Sequence, residues 1–254
     1  MPPTRPDRAA GPSHRPAEVL AWLAKHGTQA EIRALDRYGI VAKRAYGVPM
    51  RTLLALRKQL GTDHTLATAL WASGWYEARL LAALVGDPAR VTRRQMSAWA
   101  ASFENWGDCD TVCFHLFDRV PFAWEMVDQW AKSPREFVKR GAFALLASLA
   151  LHDQAAPDAR FLRALPLIER AARDERNFVK KGVSWALRAI GRRNVALNQA
   201  ALEVARRLSK AADPASRWIG AGAARELASP KVRTALTKRR RAERSAVGVA
   251  PVER

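Results

Sequence analysis

From about residue 16 to residue 237 the apolar positions recur three and four apart, the spacing that places them on one face of a helix. Nowhere do β-branched residues alternate with polar ones as a half-buried strand requires. Alanine, leucine and arginine, all strong helix formers, dominate the same stretch. Short punctuation separates the periodic segments: GVP at 47–49, GTD at 61–63, GDP at 86–88, and then Pro134, Pro157, Pro214 and Pro230. The pattern predicts an all-α protein of about a dozen helices, each roughly ten to eighteen residues long, joined by short turns.

The helical pattern also repeats. SPREFVKRGAFALLASLALHD at 133–153 aligns without a gap on DERNFVKKGVSWALRAIGRRN at 174–194, placing Phe137 over Phe178, Arg140 over Lys181 and Gly141 over Gly182. The offset is 41 residues. A fainter copy, Ala215 to Ser229, sets Trp218 over Phe178, Gly222 over Gly182 and Leu227 over Leu187 at an offset of 40. Periods of about 40 to 47 residues are the mark of HEAT and armadillo repeats. The expected architecture is therefore a HEAT-like repeat solenoid of antiparallel helix pairs, in which stacked neighbours bury what one pair cannot.

Charge changes the picture from a fold to a partner. Lysine and arginine number 43 against 24 acidic residues, a net +19. The excess is not confined to the ends: Lys231 to Arg254 holds +6 and Met1 to Pro16 holds +2, which leaves +11 on the region between. A basic surface of that size points to a polyanion, nucleic acid ahead of an anionic membrane surface or an acidic protein. The repeat adds geometry, because Lys139-Arg140 and Lys180-Lys181 occupy equivalent positions and would form a ladder of cations along a concave basic face. For any one pair, a solvated helix surface is an equally good account.

The terminal segments differ from the core. Residues 1–15 and 238–254, the latter a basic KRRR-containing tail, lack apolar periodicity and are expected to be flexible, flanking a single domain over 16–237. Cys109 and Cys113 lie four apart and read as packed, reduced thiols. The five histidines are scattered without metal-ligand spacing, so no metal and no cofactor is expected. The start of the chain has no apolar stretch of a secretory signal, and no run is long enough to span a membrane. A cytoplasmic monomer, nucleoid-associated when bound to DNA, is the expectation.

Four separated motifs, WASGWYEARLLAALVGD, SFENWGDCDTVC, REFVKRGAFAL and NFVKKGVSWALR, occur in the order seen in the AlkD-like bacterial DNA alkylation repair enzymes, the HEAT-repeat DNA glycosylases. The chain resembles that family from about Tyr38 to Leu227. The resemblance implies release of purines alkylated at N3 or N7 from double-stranded DNA, with the lesion contacted through the backbone and left stacked instead of flipped. It assigns Trp106 and Asp110, in ENWGDCD, and Trp185, in KKGVSWALR, to the catalytic cleft. Arg140 becomes a phosphate contact and Tyr38 a further aromatic contact with DNA. Gly107, early in the expected helix, departs from the family pattern.

The residues themselves suit that chemistry. An N3- or N7-alkylated purine carries positive charge and leaves as a neutral base, so little acid catalysis is needed; the cationic sugar and the attacking water need support. Asp110 and Trp106, at i and i+4, share one helix face and can meet the same nucleotide. Trp106 and Trp185 would wall the cleft, Arg140 would take a phosphate with paired donors, and Lys139, Lys180 and Lys181 would follow the backbone. Such a site selects by bond lability and leaves neutral lesions such as uracil untouched. No cleft lysine is placed for covalent attack, which predicts a monofunctional, water-using enzyme. Taken alone, each residue has a plainer account: a helical tryptophan packs in a core, and Asp110 is a surface or first-turn charge, although Asp108 is better placed for capping. Two other functions stay open, a HEAT-repeat scaffold that binds DNA without catalysis and a protein-interaction solenoid for an acidic partner.

Overall fold

The computed structural model describes residues 15–247, with side chains to residue 242, and contains fourteen α-helices and no strand among them. Contacts divide the chain into two compact units at Val91 and Thr92, where a single domain had been expected. Residues 1–14 and 248–254, which belong to the two segments expected to be flexible, lie outside the described residues.

The N-terminal unit holds α1 (Pro16–His26), α2 (Gln29–Arg37), α3 (Met50–Leu60), α4 (His64–Ala72) and α5 (Tyr76–Val85). All ten residues of α5 are buried, the charged Glu77 and Arg79 among its apolar ones included. Helices do not run throughout, however. Residues 38–49 form none, and this segment is organised by Glu77 of α5, whose buried carboxylate accepts N–H bonds from Tyr46 at 2.8 Å, Gly47 at 2.7 Å and Val48 at 3.3 Å. Gly47 sits at φ +79°, a conformation that glycine adopts without penalty.

The C-terminal unit runs through α6 (Arg93–Ala101), α7 (Trp106–His115), α8 (Ala123–Trp130), α9 (Glu136–His152), α10 (Asp158–Ala171), α11 (Asn177–Gly191), α12 (Val195–Ser209), α13 (Pro214–Leu227) and α14 (Pro230–Val247). Proline opens α13 and α14 at the first helical position, where its missing N–H costs nothing, and Pro157 immediately precedes α10. The axis of this unit is α9, which packs on α7, α8 and α11; residues Arg140 to Ala150 are buried without interruption. The last helix corrects one expectation. Residues 238–247, read as the start of a loose tail, continue α14, anchored by Val232 and Leu236 in the core.

The repeat has a packing cause. A Cβ on Gly141 would meet Phe103 at 3.2 Å and the Cys109 sulfur at 3.5 Å; one on Gly182 would meet Arg140 Cγ at 3.4 Å. Each glycine thus lets its helix close on the previous repeat. The equivalent phenylalanines, Phe137 and Phe178, lie with ring centroids 5.3 Å apart, so the register read from the sequence is spatial. In the third copy that register slips. Gly222, aligned on Gly182, has nothing within 4 Å of an added Cβ, whereas at Gly220 a Cβ would fall 2.2 Å from the Ser209 nitrogen and 2.6 Å from the Ala205 oxygen. The glycine on which α12 and α13 close together is Gly220.

Two substitutions in α13 separate packing from helix propensity. Gly222→Ala, in open space, should stabilise by about 0.5–1 kcal/mol. Gly220→Ala forces backbone apart and should destabilise by about 3 kcal/mol or more, the upper end of overpacking costs. Urea unfolding of both variants reads the difference; equal midpoints would show that α13 does not seat on Gly220.

Candidate functional site

The site begins at the capped end of α7. Asn105, the N-cap, accepts from the backbone N–H of Gly107 at 2.9 Å and of Asp108 at 3.1 Å, and the Asp108 carboxylate accepts in return from Asn105 N–H at 3.3 Å. This reciprocal box fixes the first turn and gives Asp108 the capping task expected of it. Gly107 is buried within that turn. With the turn fixed, Trp106 and Asp110 project from one face, both half-buried.

Asp110 is not a lone acid. Arg140 of α9 donates from Nε to Asp110 Oδ1 at 2.9 Å and from Nη2 to Oδ2 at 2.6 Å, the two-pronged geometry that suits guanidinium and carboxylate. Its third nitrogen, Nη1, donates to the Phe178 carbonyl of α11 at 2.7 Å. The guanidinium carbon also lies 5.9 Å from the Trp106 ring centroid. One side chain therefore joins α7, α9 and α11, and Gly182 leaves room for its stem. The paired donors expected to meet a phosphate are spent on Asp110, and Arg140 itself is 6% exposed. Asp110 and Arg140 therefore form a neutral pair.

Burial sets the electrostatics. It pushes the Asp110 carboxyl above the ordinary aspartate value, while the Arg140 charge and hydrogen bonds pull the other way and offset only part of it. Burial also works against the charge on Arg140, but the adjoining carboxylate outweighs it and raises its pKa. The two thiols behind the pair are buried and free. Cys109 donates toward Phe137 O at 3.4 Å and Cys113 toward Gly141 O at 3.5 Å, and burial raises both pKa values, Cys109 most. Neither is poised as a nucleophile.

The lysines divide by partner. Lys139 pairs with Asp174 at 3.1 Å, Lys180 lies 5.0 Å from the Trp218 ring centroid, and Lys181, exposed, lies 6.0 Å from that of Phe178. Asp174 is shared with Arg176 at 2.6 Å, and the Arg176 and Lys139 hydrogen bonds hold its pKa at about 2. Trp185 lines a groove of about 190 Å³ whose walls include none of Trp106, Asp110 and Arg140. Tyr38 ends α2 in the N-terminal unit and is 67% exposed. Phe178 and Asp174 were missed as site residues. The repeat register marked Phe178, but nothing in a sequence shows that a backbone carbonyl completes an arginine.

Among the described residues no group of three or more His, Cys, Asp and Glu side chains is placed to hold a metal, and no helix is long and apolar enough to cross a membrane.

Two measurements probe this electrostatic frame. Arg140→Met strands a buried carboxylate and should cost about 3–5 kcal/mol in urea unfolding, the usual penalty for breaking a buried pair; a loss below about 1 kcal/mol would mean that Asp110 finds water instead. For Asp174 the folded pKa is depressed, so its contribution is present above the unfolded value of about 3.9 and is lost as pH falls toward about 2. Asp174→Asn should flatten the stability profile within that window and leave its shape above about pH 5 unchanged.

Comparison with known proteins places these features in a family. The model of a family described as DNA alkylation repair enzyme matches residues 19–238. Among solved structures, one from a new family of proteins related to the HEAT-like repeat DNA glycosylases, with affinity for branched DNA structures, is similar with a TM-score of 0.69. That likeness covers 80% of this chain and 91% of the other at 18% identity, and shows the HEAT-like repeat fold. No curated protein matches.

Proposed function

Because the chain belongs to the DNA alkylation repair enzyme family, we propose that it is a monofunctional alkylpurine DNA glycosylase, hydrolysing the N-glycosidic bond of cationic N3- and N7-alkylated purines in double-stranded DNA. The observation that carries this proposal is the held carboxylate. Asp110 has both oxygens fixed by Arg140, yet 18% of its side chain stays open, one turn from the half-buried Trp106.

A carboxylate oxygen has two lone pairs, and Arg140 takes one from each. The others face the developing positive charge on C1′ and orient a water for its capture; the water adds to that carbon as the glycosidic electron pair leaves with the base, and its surplus proton passes to the Asp110 carboxylate and on to solvent. The departing base is neutral because its alkyl group already made it cationic, so no general acid is required. Trp106 presents an electron-rich face to the same sugar. Arg140 acts as a positioning residue: burial raises the Asp110 pKa, and the Arg140 charge and hydrogen bonds offset part of that rise. Lys181 and Tyr38, both exposed, contact the phosphate backbone. Lys180 and Lys139 join them on leaving Trp218 and Asp174, so their share depends on DNA outcompeting those partners. Lys139, held by Asp174, is not poised for covalent attack. The protein acts as a monomer and needs neither metal nor cofactor in this scheme.

A second function, DNA binding without catalysis, is favoured by one observation: Asp110 is neutralised by Arg140 and could serve as a structural pair. Release of 7-methylguanine from a methylated duplex decides between them. The wild-type chain should release the base and Asp110→Asn should release it roughly 100- to 1,000-fold more slowly, with duplex binding reduced no more than about threefold. Undiminished release by Asp110→Asn removes that residue from catalysis, and no release by the wild type favours the scaffold. Since the ionised carboxylate is the active form and its pKa is raised, activity should fall as pH drops through a value above the ordinary aspartate range. Arg140→Gln should move that limb higher still.

A further inference from the structure

The groove that Trp185 lines is chemically unlike the Asp110 site. Part of its wall is apolar, made by Ala147, Ala150 and Leu151 of α9 and Ala189 of α11. The rest is guanidinium. Arg188 reaches it from α11, Arg192 and Arg193 from the turn that follows, and Arg239 from α14. Its one carboxylate, Glu226, is paired at 2.8 Å with both Arg188 and Arg192, so the lining keeps a surplus of positive charge.

Those cations are held by few partners. Arg239 donates from Nη1 to the Arg193 carbonyl at 2.8 Å, and Arg192 Nη2 forms an ion pair with Glu226 Oε1 at 2.8 Å. Arg193 is 8% exposed; it gives Nη1 to Ala150 O at 2.8 Å and Nη2 to Ala156 O at 3.4 Å, while its buried Nε has no partner. Each guanidinium has five N–H donors, so Arg192 and Arg239 retain paired donors for an anion. The space, about 190 Å³, equals roughly six liquid waters, room for one flat ring.

Backbone phosphates alone would call for cations without an indole, and a purely apolar ligand would leave the surplus of positive charge unanswered. A nucleotide satisfies both halves, with an aromatic face at one end and an anion at the other. Inside a duplex that face is stacked and unavailable. We propose that this groove binds an unpaired nucleotide of DNA, its base stacked on Trp185 and its phosphate held by Arg192 and Arg239. It gives α14 a role, because the helix carries Arg239 to the groove. The inference rests on the protein being DNA-binding and does not require base release.

The test compares binding of the full chain, by fluorescence anisotropy at fixed salt, to a duplex interrupted by a short oligothymidylate gap and to the same duplex uninterrupted. The wild type should prefer the gapped duplex on the order of tenfold, the scale of one stacked base. Trp185→Ala should abolish the preference, Trp185→Phe should keep most of it, and Arg239→Gln should reduce it severalfold. Absence of a preference in the wild type, or the same preference in Trp185→Ala, overturns the proposal. Should Trp185→Ala fail to fold by circular dichroism, Arg239→Gln decides, and an unchanged preference sinks the idea. Deoxyadenosine monophosphate is the competitor that separates sources: displacement of gapped DNA at micromolar concentration would transfer the site to free nucleotides. Base release is read separately on uninterrupted duplex, so its failure and the failure of this proposal are distinguishable.

Discussion

The contact between Arg140 and Asp110 holds the C-terminal unit's site together, and its cost explains why so much else is arranged around it. Removing two charges from water is expensive, and only near-ideal geometry with further hydrogen bonds repays it. Here the guanidinium uses three nitrogens, two on Asp110 and one on the Phe178 carbonyl. Those partners come from α7 and α11, on either side of α9. The capping box at Asn105 fixes where Asp110 stands, and Gly182 leaves space for the arginine stem. Displacement of any of the three helices would strand a buried charge, so the pair sets the spacing of consecutive repeats as well as the chemistry of one of them.

That dependence accounts for what the sequence made legible. Helical periodicity and proline punctuation report local energetics, and they located the helices, with Pro214 and Pro230 at the first positions of α13 and α14. The 41-residue register was legible because Phe137, Phe178, Gly141 and Gly182 perform the same contacts twice. It failed in the third copy, where similar letters hid a shift of the packing glycine from Gly222 to Gly220. The helical course of residues 238–247 was also hidden: α14 is strongly polar, and two buried side chains, Val232 and Leu236, anchor it through contacts that sequence periodicity does not reveal.

The site was legible as a set of residue types and much less so as an arrangement. Trp106, Asp110 and Arg140 do come together, but Arg140 faces the carboxylate where a phosphate had been anticipated. The reason is burial. A sequence shows that an arginine can fork onto an anion but not which anion is nearer, and at 6% exposure the internal one wins. Trp185, expected in the same cleft, lines different walls.

The distribution of charge bears on how such a molecule can be both adhesive and reactive. A net +19 attracts any stretch of DNA, and attraction alone would hold undamaged duplex as firmly as damaged. The Asp110–Arg140 pair contributes no net charge, so it adds nothing to that indiscriminate grip. In the proposed mechanism its interaction strengthens only when positive charge appears on the sugar beside it, as the bond to a cationic base breaks. Selectivity can then reside in the neutral pair and affinity in the lysines and arginines around it. Their separation lets either be altered without the other.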